Sequence, residues 1–336
     1  MKKLLTIWCL MCLITSVQAQ DLHFSQFFNS PLSTNPANTG FIPEADYRLG
    51  AHYRNQFSNI MSVPYKTMSI FADAQLFRNR IENGWLGVGG MLLSDVAGSG
   101  SLRSTKIYGS IAYHQMLGNA SLLSAGFNLG YANKRIDPSK LKFPDQFDGK
   151  FFDGTLSTAV QLSNTSVSYF DMQAGMNYAY FPNDDVYFNA GYSIHHVNKP
   201  RETFFNDDTE DGLIPMRHNA FANAMVKVAP NAILSPGMYY TNQAGSSELV
   251  GGTSVQFNLG GFGEKQLFAG AYYRYRDAVI ALVGFEINRI RFTFTYDATM
   301  SNLNNFNNYR GASEFHVMQQ GFYPETSDRQ SMCPSF

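Results

Sequence analysis

Val279-Ile280-Ala281-Leu282-Val283-Gly284-Phe285-Glu286-Ile287-Asn288-Arg289-Ile290-Arg291-Phe292-Thr293-Phe294-Thr295-Tyr296-Asp297-Ala298 alternates apolar and polar positions with a period of two. Val279, Ala281, Val283, Phe285 and Ile287 share one parity; Ile290, Phe292, Phe294, Tyr296 and Ala298 share the next. Folding the stretch back on Asn288-Arg289 sets Ile287 opposite Ile290, Phe285 opposite Phe292 and Val283 opposite Phe294. Glu286 then faces Arg291 on the other surface. Successive strand side chains point to opposite faces, so this is a hairpin with one greasy and one polar surface. The pattern recurs through nearly the whole chain after residue 46.

The amino terminus predicts export. Lys2 and Lys3 precede an apolar run from Leu4 to Ile14, and Val17-Gln18-Ala19 is a small-residue cleavage site. Cleavage after Ala19 makes Gln20 the first mature residue. Cys9 and Cys12 fall in the signal, so only Cys333 remains and no internal disulfide is possible. A formal net charge of -1 argues against a nucleic-acid surface or a polybasic anchor. Aromatic and charged residues each make up 15% of the chain, and soluble domains average about 25% charged. Beyond the signal no apolar run reaches the roughly 18 residues of a spanning helix. An exported, aromatic-rich, charge-poor chain of alternating strands has the character of an outer-membrane barrel.

Strands are predicted near Tyr47–Asn55, Lys66–Leu76, Trp85–Leu93, Lys106–Leu117, Leu122–Ala132, Tyr169–Tyr180 and Val186–His196. Seven more lie near Asn219–Val228, Ala232–Tyr240, Glu248–Leu259, Gln266–Tyr275, Val279–Ile287, Ile290–Ala298 and Ala312–Met318. The expected fold is all-β, a transmembrane antiparallel barrel of about 14 strands. An even count places both barrel ends on the periplasmic side. Short connections (Leu117–Leu122, Pro182–Asp184, Pro230-Asn231, Asn288-Arg289) then share that side, and long ones (Asn133–Ser168, Val197–His218, Met300–Gly311) fall outside; Arg276-Asp277 is a short exception on the outside and Arg78–Gly84 a longer one on the periplasmic side. A soluble β-sandwich also alternates, but it does not account for strands this long with bulky polar residues on the second face. The expected organisation is a signal over 1–19, a periplasmic segment or plug over 20–46, the barrel over 47–318 and a periplasmic tail over 319–336.

Chemistry-bearing motifs are few. Asp207-Asp208-Thr209-Glu210-Asp211-Gly212 lacks the alternating ligands of a calcium loop and reads as a solvated surface loop. His195-His196 puts adjacent imidazoles on opposite faces of a strand, which cannot chelate one ion. Gly87-Val88-Gly89-Gly90 lies inside a strand and fits bending or close packing in the wall. Arg48, His52, Arg54, Asp73, His114, Asp171, Arg274, Glu286, Arg291 and Asp297 fall on the interior parity. They read as a hydrogen-bonded lining with Glu286–Arg291 as one cross-strand pair, and no nucleophile–base spacing marks a catalytic set. No catalytic, cofactor or metal site is assigned.

Phe143-Pro144-Asp145-Gln146-Phe147-Asp148 lies in the longest predicted surface loop. It fits a partner contact or a loop packed over its own barrel mouth. The candidate contact residues are Phe143, Asp145, Gln146, Phe147 and Asp148, with Pro200, Phe204 and Phe205 in the next long loop.

Several segments together resemble the PorP/SprF family of type IX secretion system outer-membrane proteins. They are Asp21-Leu22-His23-Phe24-Ser25-Gln26-Phe27-Phe28, Pro31-Leu32-Ser33-Thr34-Asn35-Pro36-Ala37, Tyr53-Arg54-Asn55-Gln56 and Asp137-Pro138-Ser139-Lys140-Leu141 with Asp145-Gln146-Phe147-Asp148. His195-His196-Val197-Asn198-Lys199-Pro200, Asp277-Ala278-Val279-Ile280 through Gly284-Phe285-Glu286, and Cys333-Pro334-Ser335-Phe336 add to them. The resemblance implies a non-enzymatic barrel of the secretion and gliding machinery, working with periplasmic ring and motor components. It also implies a secreted, adhesin-like cargo protein whose carboxy-terminal domain is held at the cell surface. The family supplies no residue-level site. A passive diffusion channel or solute transporter, and an outer-membrane hydrolase, remain the alternatives of other classes.

Overall fold

The computed structural model describes residues 24–43, 45–61, 63–78, 80–98, 100–160, 162–205, 212–259 and 265–324. The signal and its cleavage site, the acidic cluster at 207–211 and Cys333 lie outside the described residues.

The hairpin at 279–298 forms as the alternation dictates. β12 (Ala278–Ile287) and β13 (Ile290–Thr299) pair with Ile287 opposite Ile290, Phe285 opposite Phe292 and Glu286 opposite Arg291. Asn288 and Arg289 both take positive φ, 51° and 65°, the turn geometry whose twist matches a two-residue hairpin. Phe285 and Phe292 stack at 5.1 Å on the outer surface.

Repetition of this unit closes the sheet. Before the hairpin come β1 (Tyr47–Gln56), β2 (Tyr65–Leu76), β3 (Gly84–Ala97), β4 (Leu102–Met116), β5 (Ser121–Arg135), β6 (Ser166–Asn183) and β7 (Val186–His195). Then follow β8 (Arg217–Ala229), β9 (Ala232–Gln243), β10 (Ser246–Asn258) and β11 (Lys265–Arg274), and after it β14 (Arg310–Gly321). Every neighbour is antiparallel, and β1 pairs with both β2 and β14, so the barrel has 14 strands and no free edge. All crossing is by strands; no described helix is long and apolar enough to span a membrane.

The outer face is apolar: Leu49, Ile70, Ile107, Phe170 and Val283 are each at least half exposed. The inner face holds the ten ionisable side chains named above. Connections 117–120, 184–185, 230–231 and 288–289 lie at one end, with 136–165, 196–216 and 300–309 at the other. The second end is the extracellular one by the usual sorting of such loops. The turn at 244–245 is as short on that side as any on the other.

β3 to β6 are longer than the apolar alternation predicts; β6 begins at Ser166 rather than Tyr169. Its ladder with β5 continues to Arg135↔Ser166, where Asn133 Nδ2 donates to the Ser166 and Ser168 hydroxyls at 2.9 Å. Backbone pairing does not stop where the apolar band stops, so polar residues extend the wall beyond it.

Residues 24–43 lie inside the barrel, packed against the inner face of the wall. Three short turns, Phe27–Asn29, Pro31–Thr34 and Pro36–Asn38, fold them compactly. Phe24 and Leu32 pack with Phe71, Met91, Leu93, Tyr108 and Met318. Phe27 enters a second cluster with Phe221, Tyr239 and Tyr272, and Phe41 a third with Trp85, Leu122 and Tyr187. The apolar core is therefore built between this segment and one face of the wall.

Candidate functional site: a plugged lumen and an aromatic mouth

The lumenal segment is held at three levels. At the extracellular end, Glu314 accepts the backbone N–H groups of Ser25 at 2.7 Å and Gln26 at 3.1 Å. Arg54 pairs with Glu314 and, at 3.3 Å, with Asp297; Arg274 reaches the same Asp297 oxygen at 3.1 Å. The Ser25 hydroxyl donates to Asp297 and accepts from Arg54 and Arg274. Such a cluster compensates charges that burial alone would make costly. Midway, Gln26 and Asn29 bond to Thr293 and Thr295, and Asn35 Nδ2 donates to the backbone carbonyls of Met176 at 2.9 Å and Tyr192 at 3.3 Å. At the periplasmic end Gly40 N–H donates to Asp73 at 2.6 Å and Trp85 Nε1 donates to the Gly40 carbonyl at 2.9 Å.

The wall makes room through inward glycines. A Cβ on Gly87 would lie 1.9 Å from the Thr39 carbonyl oxygen, and one on Gly175 would lie 2.0 Å from Asn35 Oδ1. The close packing expected of Gly87 is thus against the lumenal segment. Backbone meets backbone there, which any side chain prevents.

Glu286 and Arg291 sit on the inner face with Arg291 Nε donating to Glu286 Oε2 at 2.7 Å. Arg48 forms a second pair, to both oxygens of Asp73. Glu314 and Ser25, the centre of the extracellular cluster, were not singled out from sequence. Glu314 shares parity with His316 on β14, a usable signal for the inner face; nothing local marks Ser25 as its partner.

The opposite-face reading of His195-His196 is corrected. β7 ends at His195, and His196 turns at φ 56°, so both rings stay inside and buried. His195 contacts Arg217 at 2.8 Å and Asn219 at 3.0 Å, while His196 pairs with Asp171 at 2.8 Å. A left-handed residue breaks the period-two rule on which that reading depended.

The mouth is formed by the long loops. Phe147, Phe151 and Phe205 are exposed there, and Phe306 in the last loop is 77% exposed. Gln146 and Pro200, predicted as contact residues, are instead buried. Gln146 accepts from Phe143 N–H at 3.1 Å and donates to the Leu156 carbonyl at 3.0 Å, holding the loop's shape. Phe143 and Phe204 are half-buried, so Phe147, Phe205 and the two aspartates present the surface. Asp145 binds the Ala159 N–H and the Thr158 hydroxyl; Asp148 binds the N–H groups of Phe151 and Lys150. Those donors hold both carboxyls below their ordinary range.

A closed 14-strand barrel with an internal amino-terminal segment is the architecture of an outer-membrane β-barrel protein. The chain belongs to the type IX secretion system membrane protein PorP/SprF family, whose model matches residues 16–318. No functionally curated protein matches it. Among solved structures it is similar to the Ralstonia pickettii toluene transporter TbuX at 10% identity, covering 88% of this chain and 94% of that one, TM-score 0.54. It is also similar to a Pseudomonas aeruginosa FadL homologue at 9% identity, covering 86% and 93%, TM-score 0.52. The P. putida toluene transporter TodX matches at 10% identity over 88% and 95%, TM-score 0.51. These likenesses concern the fold alone.

Proposed function

We propose that this outer-membrane barrel binds one secreted, adhesin-like cargo protein and anchors it, or assists its export, at the cell surface. The carrying observation is the pairing of an occupied lumen with exposed aromatics at the extracellular mouth. Phe151, Phe147, Phe306 and Phe205 stand exposed on the long loops of that end, and aromatic residues are enriched in protein contact surfaces. Cargo docks on that rim through its carboxy-terminal domain, while the short turns face the periplasmic secretion and motor components. The wall carries the lipid contact, and the signal at 1–19 delivers the chain.

Deleting the gene is expected to remove one large protein from the surface while most other type IX cargo is still exported. An unchanged surface proteome overturns the assignment. A tagged barrel, extracted in mild detergent from its native membrane, is expected to bring down that same protein.

The alternative, a diffusion channel or solute transporter, is favoured by the cavity that remains beside the lumenal segment. Large steady conductance in planar bilayers would establish it against the anchor reading.

A further inference from the structure

The lumenal segment fills one side of the barrel and leaves a cavity of about 270 Å³ against β7 to β14 and the start of β1. Arg48, Tyr187, Met225, Gln256, Arg291 and Gln320 line it, all near the periplasmic ends of their strands. Arg54, Arg274 and Glu314, which close the extracellular end, do not. The cavity is therefore a vestibule whose charged and polar rim lies toward the periplasm.

Its floor is aromatic and aliphatic. Phe28 stacks on Tyr272 at 5.2 Å, and Phe221, Phe268 and Leu282 complete the surface. The charged side chains that line it are two arginines, with no carboxylate among the described lining residues. Arg291 lies over the Phe268 ring, 4.5 Å from its centroid, and gives only Nε to Glu286. Its two Nη groups have no hydrogen-bond partner among the described residues. Glu286 and the ring together fix the guanidinium plane, leaving a preorganised pair of donors at the edge of an apolar chamber. A guanidinium fork of this kind matches a carboxylate bidentately. Arg48, across β14, adds a second positive charge on the same rim. The volume lies just below the roughly 300–1,000 Å³ of ligand pockets, enough for one ring and a short chain but not for a polymer.

We propose that this vestibule is a binding site for a small monocarboxylate with an aryl or alkyl body. The body lies among Phe28, Phe221, Tyr272 and Leu282, and the carboxylate bridges the Nη groups of Arg291. This site is independent of the cargo surface, which is at the opposite end of the barrel.

The test uses the full mature barrel in phosphatidylcholine nanodiscs, titrated calorimetrically with 4-phenylbutyrate against empty-nanodisc blanks. Butyrate supplies the head without the ring, and 4-phenyl-1-butanol the body without the charge. Saturable one-to-one binding of 4-phenylbutyrate is expected, at least about tenfold tighter than either control. Arg291→Gln is expected to weaken it by at least about tenfold. Ser235→Trp, which fills the cavity and leaves Arg291 in place, is expected to abolish it. Heat-modifiable gel migration reports that each variant is folded, and if Arg291→Gln does not fold, Ser235→Trp decides. No saturable binding, equal binding of the alcohol, or a folded Ser235→Trp variant that binds normally would overturn the proposal.

Discussion

Arg54 on β1 and Glu314 on β14 stand directly opposite each other across the seam that closes the barrel, and they form a buried ion pair. Glu314 also carries the N–H groups of Ser25 and Gln26, so one carboxylate ties the seam to the lumenal segment. Glu314→Ala leaves Arg54 with Asp297, at 3.3 Å, as its remaining carboxylate partner beside the neutral Ser25 and Gln56 acceptors, and is expected to cost about 3–5 kcal/mol. The check is the temperature at which the folded gel band converts to the unfolded one. Glu314→Gln, which retains acceptors, is expected to fall between the variant and the parent.

Gly87 and Gly175 set how closely the segment approaches the wall. Gly87→Val drives a side chain into the Thr39 carbonyl and is expected to displace the segment without opening β3 from its neighbours. Single-channel recording is then expected to show frequent large openings where the parent is quiet. A quiet Gly87→Val barrel, folded by gel shift, would mean that the segment does not obstruct the lumen.

The mouth aromatics are expected to separate stability from binding. Phe151→Ser with Phe306→Ser touches no packed core and is expected to change barrel stability by less than about 0.5 kcal/mol. Recovery of the cargo protein in pull-downs is expected to fall sharply. Equal recovery would remove these two rings from the contact surface.

Asp145 and Asp148 give the same loop a pH dependence. Their carboxyls are held low by the Ala159 and Phe151 N–H groups respectively, so the folded loop favours the ionised forms. That contribution is complete above the free-chain value near about 3.9 and is lost as pH falls through the lower folded values. Hydrogen exchange at Ala159 and Phe151, corrected for intrinsic rates, is expected to stay flat from neutral pH to about 5 and to accelerate below about 4. Asp148→Asn is expected to loosen the Phe151 amide already at neutral pH.

The strand count, the register of β12 on β13 and the inward parity of Arg48, Asp171 and Asp297 were legible because alternation is a local signal with a fixed period. The positions of residues 24–43 were not, because nothing periodic in Ser25, Asn35 or Gly40 says which distant strand receives them. Asn35 bonds β6 and β7 backbone more than 140 positions away, a relation that only the closed wall creates. The His195-His196 reading failed for a related reason: one left-handed residue ends a strand without changing its composition. Gln146 read as surface because it stands between exposed neighbours, although its amide is taken up inside the loop.

The direction of the lumenal segment constrains biogenesis. It joins β1 at the periplasmic end but is fastened at the other end by Glu314, a residue of the last strand. Because the same carboxylate also pairs with Arg54 across the seam, seating of the segment and closure of the first strand on the last are thermodynamically coupled. Whatever loosens the seam loosens the segment, and assembly of the cylinder gains from having its amino-terminal stretch in place.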